Sequence, residues 1–111
     1  MKALTRLIFV DDNNEKFFGE GPYRLLRGVE QTGSLRATAM EMGMSYTKAL
    51  KLITNAEKEL GFKFTTRVVG GKCGGGSCLT DEGKAWLDKY EKFREACLEE
   101  NKRLYHEYFG E

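Results

Sequence analysis

The sequence predicts a mainly α fold with a small β component: a winged helix-turn-helix with an N-terminal strand or hairpin and a long C-terminal helix. Three observations predict it. Two helical segments are separated by little more than Gly43 and Met44. An alternating segment rich in Phe, Thr and Val follows, interrupted by a glycine-rich tip. From residue 81 onward the chain carries one amphipathic stripe. A length of 111 residues fits a single domain, because a unit of this size buries roughly two-thirds of the surface its unfolded chain exposes. Residues 1–21 are expected to form the strand or hairpin, 22–80 the winged helix and 81–111 a dimerisation helix.

Residues 4–10 are β-branched and apolar and run into Asp11, Asp12, Asn13 and Asn14, whose side chains favour turns. Phe17 and Phe18 then suit a short return strand before Gly19 and Gly21. Such a hairpin can cover the core or support a dimer. Pro22 suits the first position of a helix, Leu25, Leu26 and Val29 form its apolar stripe, and Gly33 stops it. Ser34 can cap a second helix of about two turns, in which Ala37, Ala39 and Met40 offer a small-residue surface to a neighbouring helix and Gly43 ends the run.

Ser45 can cap a third helix over residues 46 to about 60. Ala49, Ile53, Ala56 and Leu60 fall on its core face, and the same spacing shifted by two positions places Thr47, Lys51, Thr54 and Lys58 on the opposite face. Tyr46 and Lys48 flank that polar face at its N-terminal turn. A face of hydrogen-bond donors at a helix N-terminus suits base edges and phosphates in a major groove. The plainer alternative is a solvated helix surface.

Residues 63–69 alternate, residues 70–76 form a tip of glycines around Lys72 and Cys73, and Ser77 to Leu79 return as a strand. Placed after a helix-turn-helix, this hairpin reads as a wing: glycines let the backbone approach phosphates, and Arg67 and Lys72 add charge. A loop that makes no contacts is the alternative. The glycines do not make a phosphate-cradling P-loop, since Lys72 follows adjacent glycines and precedes Cys73 instead of Ser or Thr. Thr80 can cap a final helix reaching about residue 108, along which Trp86, Tyr90, Phe93, Cys97, Leu104 and Tyr108 form an apolar seam broken at Glu100. A helix this long outruns a core of this size, so the seam is expected to meet its copy in a second subunit. Folding back on its own domain is the alternative.

The net charge of +1 conceals an uneven distribution. Residues 22–72 carry nine Lys or Arg against four acids, whereas residues 81–111 carry six bases against nine acids. The middle of the chain is therefore suited to an anionic partner, the alternative being the chance asymmetry of a solvated surface.

The run Thr32-Gly33-Ser34-Leu35, then Ala39, Met42-Gly43-Met44-Ser45-Tyr46, Glu57, Leu60-Gly61, Arg67, Gly70-Gly71-Lys72, Gly74-Gly75-Gly76, Leu79-Thr80 and Gly83 closely resembles the DNA-binding domain of the ModE family of molybdate-responsive transcriptional regulators. The winged helix of LysR-type regulators is a more distant likeness. The resemblance implies a homodimer that binds double-stranded DNA, with the third helix in the major groove and the wing on the backbone. By position, Ser45, Tyr46, Thr47, Lys48, Lys51 and Thr54 belong to the recognition helix. Ser34 and Arg36 stand at the start of the second helix, and Arg67, Lys72, Gly74 and Gly75 in the wing. Full-length family members sense molybdate through additional C-terminal domains, which this sequence does not contain, so no small-molecule effector and no cofactor are assigned. Cys73 and Cys78 depart from the family pattern, which has glycine and another small residue there.

Cys73 and Cys78 would face each other across the wing and are weak candidates for a disulfide or half of a metal site. A zinc site would need further Cys or His ligands, and Cys97 and the lone His106 fall in the last helix. With no base placed beside a nucleophile, the chain is not expected to be an enzyme. Three cysteines without a secretion signal point to the cytoplasm, and no stretch approaches the roughly 18 apolar residues of a membrane span. The competing reading is a protein-interaction or thiol- or metal-sensing module on a winged-helix scaffold.

Overall fold

The structure, a computed structural model, describes residues 1–67 and 76–110. It is mainly helical, with two small antiparallel sheets. The order is β1 (Phe9–Val10), β2 (Lys16–Phe18), α1 (Glu20–Thr32), α2 (Leu35–Glu41), α3 (Tyr46–Leu60), β3 (Thr65–Arg67), β4 (Ser77–Leu79) and α4 (Asp81–Phe109). β1 pairs with β2 through Phe9 opposite Phe18 and Val10 opposite Lys16, and β3 pairs with β4 through Thr65 and Leu79, Thr66 and Cys78, Arg67 and Ser77.

The helix boundaries follow from local chemistry. Ser34, Ser45 and Thr80 accept hydrogen bonds from the backbone N–H of Ala37, Lys48 and Gly83, so each caps the helix it precedes. Gly33 and Gly61 close α1 and α3 at φ 74° and 81°, a left-handed conformation that glycine adopts without a Cβ penalty. α1 begins two residues before Pro22. The proline is tolerated there because the first turn of a helix has no internal partner for its missing N–H.

Two expectations need correction. The first strand is two residues long instead of spanning 4–10. Its partner β2 has only three residues, and the turn between them is closed by Asp11, whose carboxylate accepts from the N–H groups of Asn13 and Glu15. The residues before β1 run beside α4, where the Asn101 side chain donates to Ala3 O and the Tyr105 hydroxyl to Met1 O, both at 2.8 Å. On α2, Met40 is 74% exposed and Ala37 is also exposed, so the inward surface is made by Thr38 and Ala39. α1 approaches there because Gly28 has no side chain: a Cβ at that position would stand 2.2 Å from Thr38 Cγ2.

Leu25 and Leu26 of α1, Ala39 of α2, Ala49, Ile53 and Ala56 of α3, and Leu87 and Tyr90 of α4 surround Phe18 and Phe64, both fully buried. The rings of Phe18, Phe64, Trp86 and Tyr90 pack together, with the Phe18 and Trp86 centroids 4.4 Å apart. A polar clamp joins α1 to α4. Tyr23 donates to Glu91 at 2.7 Å, and Arg27 reaches Asp88 at 2.8 Å and Glu91 at 3.4 Å while also pairing with Glu30. Burial opposes the charge on Arg27, but its bonds to Tyr23 and Asp88 and its acidic neighbours outweigh that and raise its pKa. The hydrogen bond from Arg27 in turn holds the Asp88 carboxyl below the usual carboxylate value.

Phe64 links three elements at one point. Its N–H donates to Glu57 Oε2 of α3 at 2.8 Å, and its carbonyl accepts from the Thr80 N–H at 2.9 Å. A Cβ on Gly83 would lie 2.8 Å from that same carbonyl oxygen, so α4 can begin here only because Gly83 is bare.

Glu57→Ala leaves the Phe64 N–H buried without its acceptor and is expected to destabilise the fold by about 1–3 kcal/mol. Glu57→Gln, which keeps an acceptor oxygen, costs less, and urea denaturation of the two variants measures the difference. Asp88 contributes stability that is complete above the ordinary carboxylate value near 4 and is lost as pH falls through its lowered folded-state value. The stability gap between the native chain and Asp88→Asn is therefore expected at pH 7 and should close below about pH 4. Urea midpoints across that range read it out.

Candidate nucleic-acid interface

α2 and α3 are joined by Met42, Gly43 and Met44, with Gly43 at φ 69°. The N–H of Met44 donates back to Ala39 O, which draws the turn against α2. Ala49, Ile53 and Ala56 anchor α3 in the core and Leu60 packs against it partly buried, so the opposite face is left to solvent. Thr47, Lys48, Lys51, Thr54 and Lys58 are all exposed on that side, while Tyr46 is half-buried at its first turn. The two-face reading of α3 holds residue by residue.

The individual side chains differ in what they have free. Among the described residues, no carboxylate lies within salt-bridge distance of Arg36, Lys48, Lys51, Lys58 or Arg67, whereas Arg27, Arg94, Lys102 and Arg103 are held in ion pairs around α1 and α4. Ser34 and Ser45 use a lone pair as caps and keep a hydroxyl proton to donate. The Thr54 hydroxyl donates to Leu50 O at 2.8 Å, so it faces an outside group as an acceptor only. Arg36 lies with its guanidinium carbon over the Tyr46 ring, 4.3 Å from the centroid, a cation–π contact across the turn.

The β3–β4 hairpin is tied down at both ends of its paired strands. Ser77 N–H donates to Gly33 O at the end of α1, and the Thr80 hydroxyl donates to Lys63 O and accepts from Gly83 N–H. Arg67 ends β3 and is exposed. The other wing residues expected to contribute, Lys72, Gly74 and Gly75, lie outside the described residues, as does Cys73. Cys78 is on β4, and Cys97 is a free thiol half-buried in α4.

The seam expected along α4 divides in two. Tyr90 is 2% exposed and Trp86 is half-buried against Phe9, Phe18 and Phe64, so these two rings complete the chain's own core. Phe93, Leu104 and Tyr108 remain exposed, as does Phe109, which the expected seam did not include. Sequence reasoning also passed over Leu50, 43% exposed on α3, and gave Met40 an inward role. Leu50 follows Tyr46 by four residues and stands outside the core register, a signal that was present in the spacing.

Among the described residues, no three of His, Cys, Asp and Glu gather as a metal site, and no helix is long and apolar enough to cross a membrane. No family model matches the chain. It is similar to the molybdenum-pterin-binding protein MopB of Rhodobacter capsulatus, at 36% identity over 66 residues. The match covers 60% of this chain and 24% of that protein, so the chain corresponds to about a quarter of the length of that relative.

Proposed function

We propose that this chain is a ModE-like, sequence-specific transcriptional regulator of the cytoplasm that binds double-stranded DNA as a homodimer and catalyses no reaction. α1, α2, α3 and the β3–β4 hairpin act as a winged helix-turn-helix: α3 enters the major groove and the hairpin meets the phosphate backbone. The observation that carries this reading is the outward face of α3 with the adjoining Arg36. It collects exposed cations and hydroxyls to which no described carboxylate is paired, at the N-terminal end of a helix, where positive backbone dipoles and donors converge. The similarity to a molybdenum-pterin-binding protein is consistent with a molybdate-related setting. The exposed Phe93, Leu104 and Tyr108 of α4 form the surface for the second subunit. A two-fold dimer then presents two copies of α3 about 34–36 Å apart, which requires an inverted-repeat site.

Anisotropy titrations against random duplex pools at two salt concentrations, followed by selection and sequencing, test this. Enrichment of an inverted repeat is expected, and binding without enrichment or no binding at low salt would overturn it. Lys51→Ala is expected to weaken the selected site more than random DNA. Arg67→Ala should weaken all duplexes and reduce the salt slope by about one for each phosphate it no longer neutralises. Ser45→Asp separates folding from binding: aspartate is as good a cap as serine, so the melting temperature should hold, while a carboxylate beside the phosphates should abolish binding.

A further inference from the structure

Arg36 and Tyr46 are the second residue of α2 and the first of α3, and the turn between the helices brings them together. The guanidinium lies over the ring at 4.3 Å, so one of its faces is occupied. Its donors are in the plane of the group and point away from that contact. No hydrogen bond or ion pair among the described residues engages them, and the side chain is exposed. A long, flexible side chain is thereby held in one orientation with its planar donor fork free.

We infer that Arg36 is the guanine-reading residue of each half-site and that Tyr46 is its positioning platform. The inference rests on the DNA-binding reading above and deepens it. A fork of parallel N–H donors matches the O6 and N7 acceptors of guanine in the major groove, the commonest specific arginine contact to DNA. Arg36 itself stands on α2, but its guanidinium is held over Tyr46, the first residue of α3, and the N-terminal residues of a recognition helix are the ones that reach the bases. The surroundings favour a base over a phosphate. Met40, one turn beyond Arg36, and Leu50, one turn beyond Tyr46, are 74% and 43% exposed. Apolar side chains of this kind suit a neighbouring thymine methyl group and offer a phosphate nothing. The ring also explains why Tyr46 is half-buried while its neighbours Ser45 and Thr47 are exposed.

The test takes the site selected by the native protein and measures binding of Arg36→Ala, Arg36→Lys, Tyr46→Phe and Tyr46→Ala to it. Duplexes in which each guanine in turn is replaced by 7-deazaguanine, which lacks the N7 acceptor, are measured alongside. One guanine per half-site is expected at which the replacement weakens the native protein about tenfold or more, the range of one bidentate base contact. It should have little effect on Arg36→Ala, which should accept all four bases there and keep its preferences elsewhere. Arg36→Lys should lose most of the discrimination because it lacks the planar fork. Tyr46→Phe should retain it and Tyr46→Ala should not. If Arg36→Ala selects the native sequence, or weakens every duplex equally with a lower salt slope, Arg36 is a phosphate contact and the inference fails while DNA binding stands. A native protein that enriches no sequence overturns both.

Discussion

The position of Phe64 constrains everything around it. Its ring is fully buried against Phe18 and Trp86, its N–H is held by Glu57 near the end of α3, and its carbonyl receives the backbone of Thr80 at the start of α4. Three residues later β3 ends at Arg67. One buried residue thus determines where the hairpin leaves α3 and where α4 begins, and Gly83 permits both to pass through the same small space. An alanine at Gly83 or the loss of the Glu57 carboxylate would move the hairpin relative to the polar face of α3. That spatial relation between hairpin and helix is what the proposed DNA reading depends on.

Charge is distributed in keeping with this geometry. On the α1–α4 side, arginines are held by carboxylates: Arg27 by Glu30, Asp88 and Glu91, Arg94 by Glu20, and Arg103 by Glu100 and Glu107. The contacts of Arg27 and Arg94 fasten α4 to α1, while those of Arg103 lie within α4, where Lys89 and Lys92 meet no described carboxylate. On the α2–α3 side, Arg36, Lys48 and Lys51 meet no described carboxylate, the arrangement that the proposed DNA contact requires. A partner without negative charge would have to desolvate these groups uncompensated, at a cost that disfavours it.

Much of this was legible in the sequence because it is local. Caps at Ser34, Ser45 and Thr80 and glycines at 33 and 43 mark helix ends through contacts spanning a few residues, and the two faces of α3 follow from helical spacing alone. What the sequence did not disclose depends on distant partners. The path of the first eight residues is set by Asn101 and Tyr105, about a hundred positions away, which no local β-pattern encodes. The periodicity of α4 is genuine, yet it cannot say that Trp86 and Tyr90 meet Phe9 and Phe18 of the same chain while Phe93, Leu104 and Tyr108 stay outside. Met40 fits a small-surface pattern by position and turns outward because Thr38 and Ala39 already fill the approach to α1. The Arg36–Tyr46 stack joins two helices across a turn, and either residue alone reads as an ordinary surface side chain.

The central claim is that one face of this molecule meets DNA, and amide chemical-shift mapping tests it most directly. Titrating the isotope-labelled protein with its selected duplex is predicted to shift the amides of Arg36, Ser45 to Lys51 and Thr65 to Arg67, leaving those of residues 95–110 in place. Shifts confined to α4, with the α3 amides unmoved at saturation, would contradict the account and identify α4 as the binding surface instead.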